Sequence, residues 1–430
     1  MSFTSAPLRR NRDLWVTVIA RAVSLLGDEA AVIALTLRLH DSGGGAGVIA
    51  ALFVAGMVPL VVLAPVAGRL VDRYDSRHLL VWSGLAQAGA CAMLASVHAV
   101  PAVLALVAAL GIGQAVNGAT WQALLPSIVG IDRLPAAMSL SQSVRTVASV
   151  TAPALGGVLT GLYGARVPLL LDTATFVVIT VAAMLIRTRR HVGRPTTADR
   201  RRGGFGVLRD DPVLVVLLSL LAAFIVLGAM VNVVDVFLVR DTLHSSATWY
   251  GLLAATWGGG MLLGSLVSGR WRRPDALVRV VIWSAVVLSL SMFGYAVAPA
   301  VGAILPAAVA GGAANGLLNY SVNTLTMLRA AEETRGRVAA ALSGITSSAM
   351  IGSFFIGGVV AGFATPRQIF LASAVLGLLA PITVGRRLLR AAAFVRDPRA
   401  RMLGTWPART ELPSSSPAES GGSTVRATRP

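Results

Sequence analysis

Four carboxylic acids, Asp28, Glu29, Asp172 and Asp235, stand inside long apolar stretches of this 430-residue chain. An ionisable group in hydrocarbon is costly, and by default it marks an ion or substrate pathway. The chemistry open to such a group is reversible protonation, which lets a carrier load a proton on one face of a barrier and unload it on the other. Asp28 is the deepest, about 21 Å along its stretch by helical rise, whereas Asp172 and Asp235 stand about 9 and about 6 Å from the ends of theirs and are expected to reach water. Asp28 is therefore the first candidate to carry a coupling proton, and Glu29, about 100° round the same helix, is the second. The competing reading makes Asp28 a structural anchor bonded to a neighbouring helix. Arg21 lies about 10 Å from Asp28 on nearly the same face, and Arg145 is the other arginine within a stretch. No histidine falls where one could titrate at that depth.

Uncharged polar residues form a second set. Gln114, Gly118 and Gln122 recur at a spacing of four, and so do Asn315, Asn319 and Asn323, so each trio forms a stripe along one helix face. In a bilayer such side chains turn toward protein or water rather than lipid. They are candidates to line a cavity, as is Asn232; hydrogen bonding between helices is the alternative.

Other chemistries are disfavoured by what the chain lacks. It has no His-Glu-x-x-His, no paired-Asp metal or phosphate motif and no Gly-x-Ser-x-Gly. All 37 basic residues are arginine, so the lysine of an ATP-binding loop is missing. The single cysteine, Cys91, permits no internal disulfide and reads as a small buried apolar residue. His40, His78, His98, His191 and His244 lack the spacing of metal ligands. Neither an enzyme nor a cofactor or metal is expected.

The elements that must position these residues are membrane helices. The chain is 55% hydrophobic and 13% charged, against roughly a quarter charged in soluble proteins. Apolar runs long enough to cross a bilayer, about 20 residues each, fall near 14–39, 46–67, 78–98, 101–125, 136–162 and 166–187. A second six follow near 212–239, 248–269, 277–297, 300–328, 338–363 and 366–388. The apolarity is continuous rather than alternating, which predicts helices and not barrel strands. This divides the chain into a short tail (1–13), a six-helix half (14–187), an arginine-rich linker (188–211), a second six-helix half (212–388) and a Pro-, Ser- and Arg-rich tail (389–430) expected to be disordered. The first run lacks a small-residue cleavage site and reads as an uncleaved span.

Arg38, Arg166, Arg240 and Arg367 fall at one set of loops and Arg21 and Arg145 within spans; every other arginine falls in the tails and loops on the side of the N-terminus. That bias predicts both termini and the linker in the cytoplasm of a multi-pass cell-membrane protein, plasma or inner, and removes the need for a nucleic-acid partner despite the net charge of +18. Sliding the chain on itself by 201 residues aligns Gly68-Arg69 with Gly269-Arg270, residues 154–161 with 355–362, Gln114 with Asn315 and Gln122 with Asn323. A six-plus-six duplication about a central site is the expectation.

Between the second and third runs stands GRLVDRYDSRH, residues 68–78. Gly68, Asp72, Arg73 and Arg77 resemble the loop signature of the major facilitator superfamily, with Asp75 where a later Gly is usual and Ser76 at a usual basic position. Asp75 is expected to take the left-handed turn that Gly favours. Ala148, Ala152, Pro153, Gly156 and Gly157 resemble the fifth-helix motif of that superfamily's exporters, alanine replacing the first two glycines; generic small-residue packing is the alternative. SLLGD at 24–28 and TRGRVAA at 334–340 resemble the branch that holds macrolide-efflux and siderophore-export proteins. The resemblance implies that the first, fourth, seventh and tenth helices line a central cavity, and that the loop Asp72 helps hold the two halves together. It implies an exporter of small amphipathic compounds, driven by proton entry and working by alternating access as a monomer in the lipid bilayer. An importer, or an exporter coupled to another ion, remains open because a fold does not fix direction. A membrane enzyme or a non-transporting receptor is the reading from a different class.

Overall fold

The computed structural model describes residues 11–186, 188, 212–271, 273–329 and 335–394. Thirteen α-helices make up almost all of them. In chain order these are α1 (Arg12–Asp41), α2 (Ala46–Val62), α3 (Ala64–Arg73), α4 (Ser76–Leu94), α5 (Val100–Val129), α6 (Leu134–Tyr163) and α7 (Arg166–Leu185). After the linker come α8 (Pro212–Phe237), α9 (Ala247–Ser268), α10 (Pro274–Val297), α11 (Val301–Arg329), α12 (Arg335–Val360) and α13 (Pro366–Phe394). A π-helical turn, Leu238–Thr242, prolongs α8.

The helices run up and down between two ends. At the basal end Asn11 caps α1, accepting from the Leu14 amide at 3.1 Å, and its own amide donates to the Ile128 carbonyl at 2.9 Å, tying the start of α1 to the end of α5. Thr188, just past α7, donates to Asp13 through both its backbone N–H and its hydroxyl. At the distal end Arg38 of α1 donates to the Leu94 carbonyl, the last of α4, at 2.6 Å. Gly130 and Gly164 stop α5 and α6 with φ of 77° and 75°, a left-handed region closed to most other residues.

Packing repeats between the two parts of the chain. In the first, α1 packs on α6 and α7, α4 on α5 and α7, and α2 on α5; in the second, α8 packs on α12 and α13, α10 on α11 and α13, and α9 on α11. The parts meet through α6 against α9 and α2 against α12. Trp82, Leu266, Trp283 and Phe355 point outward and are exposed, an apolar exterior that suits lipid and not water.

The structure corrects several expectations. Among the described residues, eight helices are by themselves long and apolar enough to cross a bilayer, nine if α2 and α3 count as one. Two helices fall short for local reasons: α1 carries Arg21, Asp28 and Glu29, and α4 carries Arg77, His78 and Gln87. The second run is not one straight helix, because α2 and α3 are bent by 47° where Pro65 has no N–H for the Val61 carbonyl. Gly68 to Arg73 are not loop but the second half of α3, leaving Tyr74 and Asp75 outside the helices. Asp75 does not take a left-handed turn: at φ −61° and ψ 130° it caps α4, accepting from the Arg77 amide at 2.7 Å. Residues 389–394, assigned to the disordered tail, continue α13. The rest of that tail, residues 1–10, nearly all of the linker and Thr334 of the TRGRVAA stretch lie outside the described residues.

Candidate functional site

Three of the four carboxyls, Asp28, Glu29 and Asp172, gather where α1 crosses α7. Gly27 makes the approach possible, since a Cβ there would lie 2.7 Å from the Thr175 hydroxyl oxygen and would overlap the Asp172 carboxylate. Asp172 is 1% exposed, so it does not reach water as its position near a helix end suggested. Its two oxygens are held instead by Thr175, whose hydroxyl donates at 3.0 Å, and by the Cys91 thiol at 3.3 Å. Cys91 is thus fully buried, as its surroundings in the sequence implied, but serves as a donor as well as filler.

Asp28 follows Gly27 and is half-buried beside this group. Its carboxyl stands against the Gln114 side chain of α5, within electrostatic range of Asp172, Glu29 and Arg21. Arg21 lies in turn within range of Arg145 on α6, and Arg145 within range of Glu29. Six of the candidates, Arg21, Asp28, Glu29, Gln114, Arg145 and Asp172, therefore form one cluster drawn from α1, α5, α6 and α7. Its charges nearly balance, two arginines against three acids, and Glu29 and Arg145 keep open surface.

Asp235 stands apart on α8, where Tyr250 and Tyr295 lie within electrostatic range. Asp235 is half-buried, and its Oδ1 is buried with no hydrogen-bond partner among the described residues. Asn232, one turn earlier, is exposed. On α11 the stripe is a ladder: the Asn319 amide donates to the Asn315 side chain and to its carbonyl at 3.0 Å, and the Asn323 amide donates to the Asn319 carbonyl at 2.9 Å. Asn319, Asn323 and Gln122 are exposed.

Sequence reasoning missed one buried polar network. Ser83 donates to the Asn117 side-chain oxygen at 2.7 Å, Asn117 donates to Gln87, and the Gln87 amide reaches the Leu110 carbonyl at 3.4 Å. Ser83 and Gln87 are four apart on α4, which was a visible signal, but their partner Asn117 stands off the Gln114–Gln122 face and only the packing of α4 on α5 identifies it.

The small-residue motif of α6 lies on the contact between the two parts of the chain. Ala148 and Ala152 are buried, and a Cβ on Gly156 would lie 2.8 Å from the Ala30 Cα of α1. A Cβ on Gly157 would lie 2.5 Å from the Gly251 Cα of α9, and one on Gly251 would lie 2.6 Å from the Pro153 carbonyl oxygen. Its small residues set how closely α6 and α9 meet.

Ion pairs close the distal end across the same boundary. Arg240 donates to Asp41 at 3.0 Å, and the His40 ring bridges Asp41 at 3.2 Å and Asp241 at 2.9 Å. His40 and Asp241 are separated by the same 201 residues that relate the repeats. Phe53 stacks on Phe354 with centroids 4.8 Å apart, and a Cβ on Gly358 of α12 would lie 2.6 Å from the Ala50 Cβ of α2. Asp72, Arg73 and Arg77 are exposed at the basal end, and open space surrounds Gly68.

Residues 17–273, more than half the chain, match the Major Facilitator Superfamily. The chain is 22% identical over 282 residues to macrolide efflux protein A of Streptococcus pyogenes, covering 63% of this chain and 70% of that one. Among solved structures it is similar to the nucleoside transporter NupG, with a TM-score of 0.71, 12% identity and coverage of 87% of this chain and 98% of the other. It is also similar to a bacterial homologue of the human lysosomal transporter Spinster in an inward-facing, unoccupied conformation, at a TM-score of 0.70, 13% identity and coverage of 94% and 100%.

Proposed function

Because the chain belongs to the Major Facilitator Superfamily, and is therefore a multi-pass membrane transporter of a small molecule, we propose that it is an exporter of small amphipathic compounds driven by proton entry. In this reading α2 and α3 form one span, the chain has twelve spans in two six-helix halves, and the repeated packing of α1–α7 and α8–α13 supports it. The arginine bias supports a cell-membrane protein whose basal end faces the cytoplasm. The cross-half contacts at the distal end and the middle then belong to an inward-facing state of alternating access by a monomer. Likeness to macrolide efflux protein A supports export and an amphipathic substrate.

The observation that carries the coupling proposal is the cluster around Asp28. A carboxyl that can be neutral or charged, set beside the acids Asp172 and Glu29 and the base Arg21, can exchange a proton when substrate or conformation shifts Arg21. Asp28→Asn keeps the size and most hydrogen bonding while removing titration. In proteoliposomes with a pH gradient of either sign, Asp28→Asn should lose gradient-driven transport while still binding substrate. Full gradient-driven transport in Asp28→Asn would transfer the role to Glu29, Asp172 or Asp235, tested in that order. Transport driven by another ion alone, or only inward, would establish the importer or the other coupling.

A further inference from the structure

The distal end holds a cavity of about 500 Å³ that the transport cycle proposed above does not use. It opens among the ends of α1, α6 and α7 and the connection between α4 and α5, and Arg38, His98, Thr160 and Arg166 line it together with Asp41. Asp41 is already satisfied by Arg240 and His40. The basic groups are not: one arm of the Arg38 guanidinium is spent on the Leu94 carbonyl, while its Nη2 is buried without a partner. Among the described residues the buried Thr160 hydroxyl has no partner either. Native structures satisfy nearly all such atoms, and an unsatisfied cluster around a cavity needs an explanation.

The internal repeat sharpens the point. At the offset of 201 residues Arg166 corresponds to Arg367, and Arg367 has a structural task, donating to the Ala298 carbonyl at the end of α10 at 3.0 Å. In the first half Arg38 does that task at the end of α4. Arg166 is left exposed on the cavity, and among the described residues no hydrogen bond or ion pair occupies it. It is also the first residue of α7, whose start has no side-chain cap, so free N–H groups and the positive end of the helix dipole add to its charge.

We propose that this cavity binds a phosphate-type oxyanion, held between Arg38 and Arg166 with Thr160 and His98 completing its shell. Guanidinium groups match the planar, two-oxygen face of such an anion, and the buried Nη2 donor has no partner among the described residues. Leu162 and Tyr163, exposed beside the cavity, provide apolar surface for acyl chains. The anion can therefore be the headgroup of an anionic phospholipid or a soluble phosphate. The proposal needs only the membrane-embedded bundle, not the proton coupling.

The test uses the full chain in two arms. Native mass spectrometry measures retention of phosphatidylglycerol against phosphatidylcholine. Thermal shift in phosphatidylcholine nanodiscs measures binding of inorganic phosphate against chloride at matched ionic strength. Arg166→Gln should weaken binding about tenfold in one arm, the loss expected for a charge-assisted contact, while Arg166→Lys recovers part of it and Arg367→Gln binds as wild type. A loss in the lipid arm alone identifies the headgroup, and a loss in the phosphate arm identifies a soluble anion. His98→Asn, predicted to weaken binding about threefold, serves if Arg166→Gln does not fold. Equal binding by wild type and every variant that folds, in both arms, overturns the assignment.

Discussion

Replacing Gly157 by alanine puts a methyl group 2.5 Å from the Gly251 Cα, 2.8 Å from the Gly251 nitrogen and 3.0 Å from the Ala247 carbonyl oxygen. Carbon atoms in contact prefer about 3.5–4.0 Å, so the two backbones must part by about 1 Å. Backbone cannot rotate away as a side chain can, and overpacking of this kind costs about 1–3 kcal/mol. Each of α6 and α9 also packs within its own half, so the strain falls on the contact between the halves. The state closed at the distal end should therefore lose about 5- to 150-fold in population against one open there. Spin labels at Ser42 and Ser246, on opposite sides of the distal boundary, would report this as growth of a longer distance in pulsed electron resonance. Gly228→Ala, on α8 with open space around it, is the control and should leave the distances alone. An unchanged distance distribution in folded Gly157→Ala would refute the reasoning, since it would mean the α6–α9 contact does not report on opening.

Asp41→Asn breaks the exposed pair with Arg240 and one arm of the His40 bridge; such pairs are worth about 0.2–1 kcal/mol, so distal opening should rise less than in Gly157→Ala, and the difference from wild type should shrink in high salt. Gln87→Leu strands the Asn117 amide in the α4–α5 interface and should cost about 1–3 kcal/mol, read as a lower melting temperature that Ser83→Ala, at the edge of the network, does not match. Asp72→Asn should reduce transport while leaving folding and membrane insertion intact; unchanged turnover would remove Asp72 from the conformational switch.

Much of the architecture could be read residue by residue. Apolar runs, arginines biased to one side and carboxyls inside spans express the cost of transferring single groups between water and lipid, and that cost needs no neighbour to be computed. Helix ends were legible only in part. Gly68 to Arg73 look like loop by charge, yet nothing in them stops a helix before Asp75, which caps the next one. The second run was read as one span, and the 47° bend at Pro65 appears only in the structure.

Tertiary structure decided which residues become partners. Asp172 stands near a helix end in the sequence, and only the approach of α1 at Gly27 buries it against Thr175 and Cys91. Gly157 is one glycine among 44 until α9 brings Gly251 against it. Arg166 and Arg367 match in type and in repeat position, yet Arg367 holds the end of α10 while Arg38 has taken that place in the first half and left Arg166 to the cavity. Transfer from water to lipid is a property of one residue, so the chain alone carries it. Pairing depends on distances between residues far apart along the chain, and those exist only once the helices have packed.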